Sequence, residues 1–209
     1  KAILTQKPAD VDELLTKPYD EKIDVATSLQ EHVLVIGENL KIRRFEIIPG
    51  GEDILNVAYV HMGGKIGVLV SLKVDPAIRG KAEVVELGHD IAMQICAMNP
   101  SYLNRESIPA DVLAKEREIE LAKTLEEGKP QKVAERIVEG RISKYYQENC
   151  LVDQAFVKES KLSVSQHVEN VARAAGGKIE IVKFVRFEKG EGLAKREDNF
   201  AEEIAKLTK

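Results

Sequence analysis

Val57-Ala58-Tyr59-Val60-His61-Met62-Gly63-Gly64-Lys65-Ile66-Gly67-Val68-Leu69-Val70-Ser71-Leu72 sets two β-branched and aromatic runs around a Gly-Gly turn. Such runs favour extended backbone, and the glycines supply the positive φ of a tight turn, so the stretch predicts an antiparallel β-hairpin. Gly63-Gly64-Lys65 is not a phosphate loop. The Walker pattern needs Ser or Thr after the Lys, between a strand and a helix; here Ile66 follows, in a second strand.

A sheet needs a cover, and the flanking sequence provides one. Ala82 to Asn99 carries Val85, Gly88, His89, Ala92, Met93, Ile95 and Cys96 on one stripe before Pro100, which predicts an amphipathic helix over the hairpin. Upstream, Lys41 to Ile48 is β-rich and runs into Pro49-Gly50-Gly51, predicting a strand that enters a turn. Before it, Ser28 to Gly37 places Leu29, Val33, Leu34 and Ile36 at helical spacing, with Ser28 as cap and Gly37 as stop. Ala9 to Leu15, between Pro8 and Pro18, predicts a shorter helix.

Farther downstream, Ala110 to Glu127 and Gln131 to Gln147 are rich in Glu, Lys, Arg, Ala and Leu and are separated by Gly128-Lys129-Pro130. They predict an antiparallel coiled-coil hairpin, with Leu113, Leu121 and Leu125 facing Val133, Ile137, Ile142 and Tyr145 and charged outer faces in solvent. Phe156-Val157 begins a short extended piece, Ser163 to Ala175 reads as a helix stopped by Gly176-Gly177, and Lys178 to Phe187 as a strand. Asp198 to Lys206 predicts a short amphipathic helix with Phe200, Ala201, Ile204 and Leu207 on one side. The fold class is α+β, with antiparallel sheets covered by helices.

A weak internal repeat runs through this order. Gln30 to Val33 leads through Gly37 to Arg43-Arg44-Phe45-Glu46, and Gln166 to Val168 leads through Gly176-Gly177 to Val185-Arg186-Phe187-Glu188. Helix, glycine, strand and Arg-Phe-Glu recur in the same sequence.

Composition narrows function. The 209 residues hold 31 Lys and Arg against 35 Asp and Glu, net charge −4. That field does not favour polyanions. The longest apolar run, Ile66 to Val70, is far short of the roughly 20 residues of a membrane helix. Cys96 and Cys150 are too few and too far apart for a disulfide framework and read as reduced thiols of a cytosolic protein. Lys1 follows neither a signal peptide nor an initiator Met, so the expectation is a fragment of a longer protein. His32, His61, His89 and His167 form no metal-ligand spacing with one another or with Cys, and no nucleophile elbow occurs. The reading is a binding protein with no catalytic residues, no metal and no cofactor.

The order of segments is specific. Ile36-Gly37-Glu38-Asn39-Leu40-Lys41-Ile42-Arg43-Arg44, the hairpin Tyr59 to Val70, Val138-Glu139-Gly140-Arg141, Asp153-Gln154-Ala155-Phe156-Val157 and Arg186 to Gly192 are collinear and resemble elongation factor Ts from about Leu29 onward. The resemblance implies a cytoplasmic guanine nucleotide exchange factor that binds elongation factor Tu, preferentially nucleotide-free, with no direct nucleic-acid or membrane partner. It implies two related α+β subdomains: residues 1–48 as the remainder of the first, and 49–108 with 149–190 as the second. Residues 109–148 would be the inserted coiled coil and 191–209 a C-terminal helical module.

By the same resemblance, Ile36 and His61 match positions that approach the partner's nucleotide-binding domain, with Met62 and Gly63 beside them at the hairpin tip. Val157 and Lys158 match a pair that meets the partner's C-terminal region, Lys158 standing where the family has an apolar residue. Phe200 and Ile204 match a module that packs on a partner helix. The family's Thr-Asp-Phe-Val motif, whose Phe wedges near the partner's magnesium site, does not occur in these 209 residues. The expectation is a chain that docks but accelerates GDP release poorly. Plainer roles stay open beside these: an exposed turn side chain for His61, core packing for Val157, and docking of Phe200 and Ile204 on their own core. The rival class is an RNA- or ribosome-binding α+β module using Lys41, Arg43, Arg44, Lys183 and Arg186.

Overall fold

The computed structural model describes residues 1–192. In chain order the elements are α1 (Ala2–Gln6), α2 (Val11–Thr16), α3 (Val25–Ile36), β1 (Ile54–His61), β2 (Ile66–Val74), α4 (Ala82–Met98), α5 (Ala110–Glu126), α6 (Gln131–Asn149), β3 (Ala155–Phe156), β4 (Glu159–Ser163), α7 (Val164–Ala175) and β5 (Ile179–Glu188). The fold is α+β with antiparallel sheets: three strands in the order β1-β2-β5, and the pair β3-β4.

The hairpin forms as its sequence dictates, from Ile54↔Lys73 to His61↔Ile66. β2 is central, so every second side chain on one face, Val68, Val70, Leu72 and Val74, enters the core. α4 and α7 cover that face and contribute Val84, Leu87, Ile91, Ile95, Val164 and Val168. Each fully buried aliphatic side chain stabilises the fold by about 1.5–3 kcal/mol relative to exposure. α4 ends at Asn99 in the left-handed conformation, with Pro100 next. Its buried face differs from the predicted stripe: Val84, Leu87 and Ile91 are buried, Val85 and Met93 half-buried, and His89 exposed.

Four further expectations are corrected. α3 begins one turn earlier, because the Asp24 carboxylate accepts from Thr27 N at 2.7 Å; Ser28 lies buried inside the helix instead of capping it. Its buried residues are Val25 and Ser28, while Leu34, Val35 and Ile36 face solvent. Residues Lys41 to Ile48 form no strand. A strand needs a backbone neighbour, and this segment is tied to the sheet by side chains: Lys183 pairs with Glu46, Asn56 Nδ2 donates to Pro49 O at 3.1 Å, and Arg44 lies 4.5 Å over the Phe187 ring.

α5 and α6 pack together, but the buried positions are Thr124, Ala134, Val138 and Ile142, with Leu125 and Val133 left exposed. Long arms lock the pair from outside, Arg117 to Glu139 and Arg141 to Glu120 and Glu127. The extended piece that begins at Phe156-Val157 is split by a turn, so that its second part, β4, pairs back on β3. The expected helix with Phe200 and Ile204 lies outside the described residues.

The internal repeat holds in its first half. α3 and α7 are each 12 residues, each is capped by a side chain accepting from the third helical amide, and each ends on a left-handed glycine, Gly37 or Gly176. Only the second copy continues into a strand, β5.

Candidate functional site

Three exposed features carry the described candidate residues. The first is the hairpin tip. Met62, Gly63 and Gly64 all have positive φ, and Gly64 N and Lys65 N both donate to His61 O, at 3.2 and 3.1 Å. Two consecutive glycines make this turn accessible without strain at those positions. The turn is braced from β5, since Lys189 N donates to Lys65 O at 2.8 Å. His61 is half-buried; its Nδ1 meets Tyr59 Oη at 2.9 Å, and the rings lie 5.7 Å apart. That contact fixes the imidazole, leaving Met62 as the projecting side chain, 61% exposed.

The second feature is the C-terminal end of α3, where Leu34, Val35 and Ile36 are 83%, 86% and 54% exposed. Beyond Gly37 the chain returns to the tip end of the sheet: Arg43 Nη1 donates to Glu191 O and Arg44 pairs with the Glu191 carboxylate, both at 2.5 Å. These two arginines therefore pair across the fold, with a residue 148 and 147 positions away. Arg44 holds the Glu191 carboxyl below its usual range together with the Glu188 amide, whose effect is the larger.

The third is the turn between β3 and β4. Phe156 is buried against the His167 ring at 4.1 Å, which forces the next side chain outward, and Val157 is 46% exposed. Lys158 curls back so that Nζ meets Asp90 Oδ1 at 2.6 Å, and this raises the ammonium above its ordinary range. Val157 thus fits an outward contact, whereas the Lys158 charge is engaged within the chain.

Among the described residues no group of three His, Cys, Asp or Glu is placed to hold a metal. His32 and His89 are exposed on separate helices. Both thiols are free and buried, and burial pushes Cys150 up to about 11, away from a reactive thiolate. An open groove of about 840 Å³ lies at the end of the hairpin away from the tip; it mixes Lys73, Arg173 and Lys178 with Asp75 and Glu169. The Asp75 carboxylate there already accepts from Lys178 N at 2.7 Å. No helix of the described residues is long and apolar enough to cross a membrane.

Sequence reasoning missed the groups that hold the third feature. Asp90 and Gln94 are buried on α4, where their polarity reads as a solvent-facing position. Gln154 is buried too, although its motif was noticed.

Comparison with known proteins supplies the remaining finding. The family model described as Elongation factor TS matches residues 1–191. The match thus starts well upstream of Leu29, where the resemblance read from the motifs begins. A protein named elongation factor Ts from Clostridioides difficile is 44% identical over 209 residues, covering 100% of this chain and 67% of the relative. One from Clostridium novyi is 45% identical over 206 residues, 98% of this chain and 66% of the relative. One from a Nitratiruptor species is 44% identical over 196 residues, 93% and 63%. The chain spans about two thirds of the length of these relatives.

Proposed function

The chain belongs to the elongation factor Ts family, and from that premise we propose that it docks on elongation factor Tu in the cytoplasm and favours the nucleotide-free form of that GTPase. The supporting observation is the placing of large apolar side chains in solvent on turns and a helix end: Leu34, Val35 and Ile36 on α3, Met62 at the hairpin tip and Val157 after β3. Apolar anchors within a polar surround are what a protein partner buries. Ile36, His61, Met62 and Gly63 meet the partner's nucleotide-binding domain in this proposal, and Val157 with Lys158 its C-terminal region. Phe200 and Ile204 serve as a further contact on the terminal module.

Exchange then follows from linkage. A protein that binds the empty GTPase better than the loaded one weakens nucleotide binding by the same free energy. It breaks no bond itself and needs no cofactor. α5 and α6 form a coiled-coil arm on a core made of residues 49–108 and 149–190, residues 1–48 being the remainder of a related subdomain. The test is binding to nucleotide-free elongation factor Tu at micromolar concentration, abolished by GDP with magnesium, with release of fluorescent GDP followed in parallel. No binding at that concentration overturns the proposal.

The RNA-binding alternative is disfavoured by where its cations go. Arg44, Lys183 and Arg186 each pair with a carboxylate, and Arg43 donates to a carbonyl. A steep fall of affinity with salt would revive it.

A further inference from the structure

Gln94 has no exposed surface and lies between Ile91 and Ile95 on the core face of α4. An amide there costs about 1–3 kcal/mol unless its polar atoms are matched. All of its bonds go to one short segment. Oε1 accepts from Val157 N at 2.8 Å, while Nε2 donates to Ala155 O and to Gln154 Oε1, both at 3.1 Å. The amide therefore grips the backbone on both sides of Phe156.

One helical turn earlier, Asp90 takes the Lys158 ammonium, so the residue after Val157 is also pinned to α4. Gln154 Nε2 continues the chain of bonds to Glu148 O, in the last turn of α6. From Ala155 to Lys158 the segment is tied at three successive points, and the side chain left projecting is Val157.

We infer that Gln94, together with Asp90, is a positioning residue that presets the β3–β4 turn so that Val157 meets the partner without reordering, and that Gln154 links this setting to the end of α6. The inference rests on the docking function proposed above. Its physical basis is preorganisation: a loop already held in its bound shape loses less conformational freedom on association. Lys158 then contributes by anchoring, its charge being spent on Asp90.

The test is a double-mutant cycle on affinity for nucleotide-free elongation factor Tu, combined with hydrogen exchange at the Val157 amide. Gln94→Leu is expected to weaken binding about tenfold with Val157 present and to add almost nothing in a Val157→Ala background, because both changes remove the same contact. Exchange at the Val157 amide should quicken while that of Val70 in β2 stays slow. Asp90→Asn, which removes the buried charge that holds Lys158 Nζ and leaves the proposed contact residues unchanged, is the second variant and carries the same expectation for affinity should Gln94→Leu fail to fold. Additive losses in the cycle, or unchanged exchange at Val157, overturn the positioning role. Failure of the unmodified chain to bind instead overturns the docking function on which it rests.

Discussion

Gly88 of α4 sits so close to Val57 of β1 that a β-carbon at Gly88 would lie 2.6 Å from Val57 Cγ2. The missing side chain sets the distance between helix and sheet. Gly88→Ala gains about 1 kcal/mol of helix propensity, but overpacking costs about 1–3 kcal/mol, and the stiff β-branched Val57 has little room to yield. The expected result is a lower urea midpoint with an unchanged m-value. Adding Val57→Ala should relieve the contact, so that the two changes together cost less than their sum.

The α5–α6 contact makes a second prediction. Ile142 is fully buried and Val133 is exposed, although both were expected at the seam. Ile142→Ala should cost about 2–5 kcal/mol, and Val133→Ala should stay within about 0.5 kcal/mol of the unmodified chain. Equal losses in chemical denaturation would refute the seam described above.

Acid should loosen the same helices. Glu120 is held below its ordinary 4.5 chiefly by the Lys123 ammonium, against the opposing effect of burial, with Arg141 adding to it. Arg117 lowers Glu139 likewise. A carboxylate whose folded value is depressed stabilises the fold above its unfolded value, and that contribution disappears as pH falls through the folded one. Thermal unfolding should therefore begin at lower temperature once pH drops below about 4.5. Glu120→Gln should show a smaller drop over the same range.

Thiol chemistry gives a fourth. With Cys150 pushed up to about 11 and both thiols buried, a chromogenic disulfide reagent at mildly alkaline pH should release almost no rapid signal from the folded chain. Two thiols per chain should appear after denaturation. A fast native thiol would show that the fold opens readily around one of the two cysteines.

Comparing expectation with structure separates two kinds of information. The hairpin, the glycine stops at Gly37 and Gly176 and the Asn99-Pro100 end of α4 were legible because each depends on residues within a few positions of one another. Lys41 to Ile48 has the residues of a strand but not a backbone neighbour, and composition carries no information about neighbours. Of the candidate site, the place of His61 and Met62 at the hairpin turn was legible for the same local reason, but the bond that holds the His61 ring against Tyr59 was not. The engagement of Lys158 by Asp90 was not, since the two are 68 positions apart.

The amino-acid order alone settled where chain reversals and helix ends fall, because steric limits on φ and ψ and the orphan amides of a helix act locally. Folding in three dimensions decided which polar side chains go inside. Asp90 and Gln94 are tolerable in the core only because a segment some 60 residues away brings the amide, the carbonyl and the ammonium that satisfy them.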